Sequence, residues 1–162
     1  MKKLLALALT LLMVCSLALA AQAASYDDVF TNFDQRDTYD AETCTTVAFS
    51  DAGVMVSGSG VSSDGCVVYV TQPGTYVFSG KCQNGQIIVD VSKEDKVQLV
   101  LDGLTLTSAD SSPLYVLSAD KVSVTLAAGS ANTLTDGEKY TAPFDKQPNA
   151  CLCSRDDLTI NG

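Results

Sequence analysis

The sequence predicts an all-β solenoid, and three observations carry that expectation. A strand phrase recurs three times: Asp95-Lys96-Val97-Gln98-Leu99-Val100-Leu101-Asp102-Gly103, then Asp120-Lys121-Val122-Ser123-Val124-Thr125-Leu126, then Asp156-Asp157-Leu158-Thr159-Ile160-Asn161-Gly162. Within each copy apolar and polar positions alternate with period two, and helix periodicity is absent. A second apolar phrase precedes each following turn: Gly85-Gln86-Ile87-Ile88-Val89, Ser112-Pro113-Leu114-Tyr115-Val116 and Asn149-Ala150-Cys151-Leu152-Cys153. Val97, Val122 and Leu158 stand 25 and 36 residues apart, and the second step also becomes 25 once a polar excursion over 137–147 is removed. Repeats of this length, with two strands each, predict stacked coils of parallel strands whose neighbours bury what one coil alone cannot. A β-sandwich is the alternative, but it needs hairpins rather than a repeat.

The elements follow in order. Residues 1–24 read as a secretory signal peptide: Lys2 and Lys3 lead, Leu4 to Leu19 is almost wholly apolar, and small residues at Ala18, Ala20, Ala21 and Ala23 offer cleavage sites. This predicts a secreted, extracellular or cell-surface protein. Residues 25–46 are acidic and polar, with Asp27, Asp28, Asp34, Asp37, Asp40 and Glu42, and read as an exposed lead-in. Residues 47–84 read as short strands with tight turns at Asp64-Gly65 and Pro73-Gly74, forming an antiparallel cap over the open end of the solenoid. Asn84-Gly85 also has hairpin character and marks where hairpins would give way to coils. Residues 85–162 are the coils. The third phrase stops at Gly162 without a cap, so the solenoid is expected to be incomplete at its C-terminus.

Charge and composition narrow the function. The full chain carries 10 basic and 19 acidic residues, net −9; loss of Lys2 and Lys3 with the leader takes it to −11. Such a surface repels nucleic acid and anionic membranes and favours cations. There is no His, which removes the commonest general base and every Ser-His or Cys-His pair. Beyond the leader, Cys44, Cys66, Cys82, Cys151 and Cys153 are odd in number, so at least one stays free or pairs outside the chain. Without a C-x-x-C pair or a His, a zinc site is not expected. Cys151 and Cys153 share one side of a strand and are expected to be small apolar core residues rather than a mutual bridge.

The run Gly74 to Gly80, Gly85 to Asp90, Asp95 to Gly103, Ala119 to Val122, Asn132 to Gly137 and Pro148 to Ala150, leading to the final Asp156 to Gly162, resembles a family of bacterial exported carbohydrate-binding proteins, formerly a domain of unknown function. The resemblance covers the chain from about Tyr39. It implies a right-handed parallel β-helix shaped like that of pectate lyases, bound calcium (Ca2+), and affinity for plant-type polysaccharides, acidic ones of the polygalacturonate (pectin) kind included.

Calcium requires six to eight oxygens. The excursion supplies Asp136, Glu138, Asp145 and Asn149, next to Asp156 and Asp157, and these six are the candidate metal ligands. For sugar contact, Gln98, Ser123 and Thr159 occupy equivalent outward positions on successive coils, a flat polar strip along which an extended glycan could lie. Tyr115 and Tyr140 are the candidate aromatic contacts near the excursion. No catalytic residue is assigned. Arg155, beside two acids in a turn, is better read as a surface arginine than as the base of a lyase. Adjacent Asp156 and Asp157 point to opposite faces of a strand and so would not flank one glycosidic bond. The expectation is a secreted, non-catalytic, calcium-assisted binder of acidic polysaccharide; the alternatives are a calcium-dependent polysaccharide lyase and a structural or adhesive surface protein.

Overall fold

The computed structural model describes residues 30–138, 140 and 150–162, and among these described residues it has twelve strands and no helix. In chain order the strands are β1 (Thr45–Ser50), β2 (Gly53–Ser57), β3 (Val61–Asp64), β4 (Val67–Val70), β5 (Gly74–Cys82), β6 (Gln86–Asp90), β7 (Lys96–Thr107), β8 (Leu114–Ser118), β9 (Lys121–Leu126), β10 (Thr133–Thr135), β11 (Leu152–Ser154) and β12 (Asp157–Asn161). All of them lie in one compact unit, Phe33–Gly162; of the other unit, Met1–Asn32, only the last three residues are described. The signal-peptide segment therefore lies outside the described residues, as does most of the 137–147 excursion.

The strands form two sheets. The larger runs β12-β9-β7-β5-β1-β2, with β10 also paired to β7; the smaller runs β11-β8-β6-β4-β3. The repeat is realised in the register. Val97 pairs with Val122 and Val122 with Leu158 in the larger sheet, while Leu114 pairs with both Ile87 and Leu152 in the smaller. All these pairings are parallel, because each chain segment leaves one sheet for the other before it returns.

The expected right-handed parallel β-helix with a separate antiparallel cap is corrected by this topology. Both sheets are mixed. β1 pairs antiparallel with β2 on one side and parallel with β5 on the other, and β3–β4 is an antiparallel hairpin whose β4 pairs parallel with β6. The hairpins are full members of the two sheets rather than a lid over a coil. The physical reason is their alternation: Val47 and Phe49, and Val68 and Val70, send apolar side chains into the same core as Phe78, Leu99 and Leu114. Phe49 and Phe78 meet there with ring centroids 6.3 Å apart. The turn at Asp64-Gly65 does form, but between β3 and β4. Asn84-Gly85 makes a corner between sheets instead of a hairpin: Gly85 N–H donates to Thr107 O, and Asn84 Oδ1 accepts from Ala109 N–H.

Period two places the faces. Val97, Leu99, Leu101, Val122 and Val124 enter the core, with Leu158 packed against it. Leu126 and Ile160 depart from the pattern and are exposed. β7 stays in one strand for 12 residues only because it bends at Gly103, which takes φ 71°, a left-handed value that favours glycine. Asn132 splints the bend. Its Oδ1 accepts from Leu104 N–H (2.9 Å) and its Nδ2 donates to Leu101 O (3.1 Å).

Candidate functional site

The outward face of the larger sheet presents a polar row, Thr75, Gln98, Ser123 and Thr159, each in register with the next. A neighbouring row brings Thr125 beside Asn161. This face is not an open track. Gln98, Ser123 and Thr125 are at most 1% exposed, because the acidic lead-in lies across them. Gln98 Nε2 donates to Arg36 O (3.4 Å), Thr38 O (3.2 Å) and Thr125 Oγ1 (3.0 Å), and its Oε1 accepts from Thr75 Oγ1 (3.2 Å). Thr125 Oγ1 donates to Arg36 O at 3.3 Å. Asn161 Nδ2 donates to Asp34 O and Arg36 O, both at 2.9 Å. Three successive strands thus converge on one carbonyl, that of Arg36.

Asp34 fastens the segment at its other end. Its carboxylate sits 2.9 Å from Lys121 Nζ and accepts from Thr159 Oγ1 at 2.6 Å, and the residue is 4% exposed. A buried ion pair is favourable only when its remaining lone pairs are met, and the Thr159 hydroxyl helps to meet them. Phe33 adds cation–π contacts, with the Arg36 guanidinium 5.3 Å and Lys96 Nζ 5.8 Å from its ring centroid. The lead-in expected to be an exposed tether is, over residues 33–40, a strap bonded to the sheet. Sequence reasoning missed it because an acidic, strand-free run has no periodicity. Phe33 and Tyr39, aromatics within that run, are the signals that pointed to packing.

The strap creates two neighbouring depressions that share Thr38 and Tyr39. One, of about 450 Å³, is lined by Arg36, Thr38, Tyr39, Asp40, Thr43, Thr75 and Gln98. The other, of about 360 Å³, is lined by Asp37, Thr38, Tyr39, Asp102, Ala127 and Ala128. Both fall in the size range of small-molecule sites. Half-buried Tyr39 stands between them, with an aromatic face for apolar C–H groups and hydroxyl, amide and carboxylate groups on either side.

The remaining candidates are scattered. Thr159 is half-buried and engaged by Asp34. Tyr115, on β8, is 1% exposed, so a glycan cannot reach it; burial pushes its hydroxyl pKa up. Tyr140 donates its hydroxyl to the Asp136 carboxylate, and that hydrogen bond, ahead of burial, pushes the phenol up to about 12. Asp156 is held by Lys93, 2.6 Å from both carboxylate oxygens, and by Ala119 N–H (2.9 Å). The Lys93 hydrogen bond is the main cause of its lowered pKa. Asp157 and Glu138 are exposed, and Asp145 and Asn149 lie outside the described residues. Among the described residues no three acidic or thiol groups gather as a metal-ligand set. Of the six expected calcium ligands, Asp136 accepts from the Tyr140 hydroxyl and Asp156 from Lys93. Cys151 and Cys153 are only half-buried, not core residues; burial, then the Asp136 charge, pushes the Cys151 thiol up.

Comparison with known proteins places this geometry. A curated relative from Acetivibrio thermocellus (strain ATCC 27405), described as a carbohydrate-binding domain-containing protein, is 52% identical over 97 residues, 59% of this chain and 34% of its own length. A solved structure described as the polysaccharide lyase-like protein from C. thermocellum, gadolinium derivative, superposes with a TM-score of 0.69 at 43% identity, covering 73% of this chain and 49% of that one. The chain thus spans about a third of the relative and about half of the structural neighbour. The family described as carbohydrate-binding domain-containing protein matches residues 64–162, more than half of the sequence, and the chain belongs to that family.

Proposed function

We propose that this protein binds a polysaccharide without cleaving it, and that the strap-borne Tyr39, between its two depressions, is the central contact. The observation that carries the reading is the anchoring of the strap. Its backbone is held by Gln98, Thr125 and Asn161 from three strands, so Tyr39 is presented without the ordering cost of a free loop. Family membership supplies the ligand class.

The finer reading is an acidic, plant-type polysaccharide bound with calcium assistance by a secreted protein. Charge motivates it: a chain of net −9 repels a polyuronate unless a cation lies between them. A glycan-array screen of the protein, with calcium and with chelator, tests both levels. Retention of acidic glycans is expected with calcium, weaker with chelator, and weaker as pH falls through about 4, where carboxylates protonate. Chelator-independent retention would remove the calcium step; no retention of any glycan would remove the reading. Tyr39→Ala is expected to lower affinity about 10-fold with an unchanged melting temperature.

The lyase-like description of the structural neighbour favours a second reading, a polysaccharide lyase. Absorbance from an unsaturated uronate product would establish it, and exposed Arg155 would be the first residue to replace.

A further inference from the structure

One corner between the sheets brings together two thiols that carbohydrate binding does not use. Cys66 follows the β3–β4 turn and leads into the smaller sheet, while Cys82 ends β5 in the larger. Cys82 is 2% exposed and part of the core; half-buried Cys66 packs against that same core. The two residues meet at Gly85. A Cβ there would lie 3.2 Å from Cys82 Sγ and 3.1 Å from the Cys66 carbonyl oxygen, tight contacts on two sides that glycine avoids. The Cys66 backbone is fixed, its carbonyl accepting from Gln86 N–H at 3.0 Å, and its thiol donates to Ser50 O at 3.3 Å. The Cys66 thiol is pushed up first by burial and then by hydrogen bonding to, and charge on, the Cys82 thiol. Cys44, before β1, and Cys151 and Cys153, at β11, lie on other parts of the chain.

We propose that Cys66 and Cys82 form a disulfide that staples the two sheets together at this corner. The oxidant is a small-molecule or protein disulfide. The Cys66 thiolate, the more accessible of the pair, attacks one sulfur of that disulfide and expels a thiolate. The Cys82 thiolate then attacks Cys66 Sγ in the mixed disulfide and expels the second. The protein loses two S–H bonds and gains one S–S bond, and the oxidant takes up both electrons as two thiols.

The test uses the full chain purified under reducing conditions and then treated with oxidised glutathione. Non-reducing peptide mapping should recover one bridge, Cys66–Cys82, with the mass of two hydrogens lost. The melting temperature should rise by about 10 °C, as for a short closed loop, and fall back with dithiothreitol. Cys82→Ala should instead leave glutathione lodged on Cys66, since no second thiol remains to expel it. Persistent glutathione on Cys66 of the unaltered chain, a bridge to Cys44, Cys151 or Cys153, or a bridge that lowers the melting temperature would overturn the proposal.

Discussion

Asp34 shows how one residue can set the fate of a whole segment. It is nearly buried, and its partners Lys121 and Thr159 come from two different strands. Asp34→Ala should cost about 3 kcal/mol in urea denaturation, since it strands the Lys121 charge under the strap as well as deleting a bond. Asp156 gives the opposite lesson. Its pKa is lowered chiefly by Lys93, whose side chain is 63% exposed, so solvent screens the pair and its contribution is small. The sign is still definite. A carboxylate with a depressed folded pKa adds stability above its unfolded value, near 4, and loses it as pH falls through the lower folded value. Asp156→Asn should therefore flatten the stability profile on the acid side of about pH 4 and leave its shape above pH 5 unchanged, as read by denaturation midpoints across that range.

At the scale of elements, the bend in β7 and the strap are the two departures from plain strand pairing. β7 pairs with β9 through its first half and with β10 through its second, and Gly103 lets it turn between them. Asn132→Ala would leave Leu104 N–H without its side-chain partner, at a cost of about 1–3 kcal/mol in chemical denaturation. Phe78→Ala, in the core strand that joins the hairpin region to the repeats, should cost about 3–5 kcal/mol by cavity formation. The strap differs from both, because hydrogen bonds and an ion pair carry most of its attachment. Gln98 contributes no apolar contact to the core, yet it holds two strap carbonyls and a threonine hydroxyl at once.

For the molecule as a whole, the governing quantity is net charge. At −9 the chain and an acidic glycan repel over the Debye length, about 10 Å at 0.1 M salt. Without calcium, raising sodium chloride from about 0.05 M to 0.5 M should therefore strengthen retention of a polyuronate and leave retention of a neutral glycan unchanged. Affinity electrophoresis at the two salt concentrations reads both at once. Weakening of polyuronate retention by salt would mean that a local basic contact, with Arg36 the nearest in the larger depression, outweighs the global repulsion.

Much of this protein is local in origin and therefore legible in its sequence. The three phrases pair in the register that their residues suggest, Val97 with Val122 and Val122 with Leu158, because a strand's period of two ties each side chain to one face. Family resemblance was legible for the same reason, being carried by contiguous motifs. What the hairpins join was not legible. Whether β1 and β4 cap a coil or complete two mixed sheets depends on which distant strand accepts their free edges, and alternation reads the same in both cases. The candidate strip shows the limit most clearly. Gln98, Ser123 and Thr159 do point outward, as their spacing predicts, but burial is a property of what lies above a side chain. Only the tertiary structure brings Asp34 and Arg36, some 60 to 125 residues away in sequence, down onto that face.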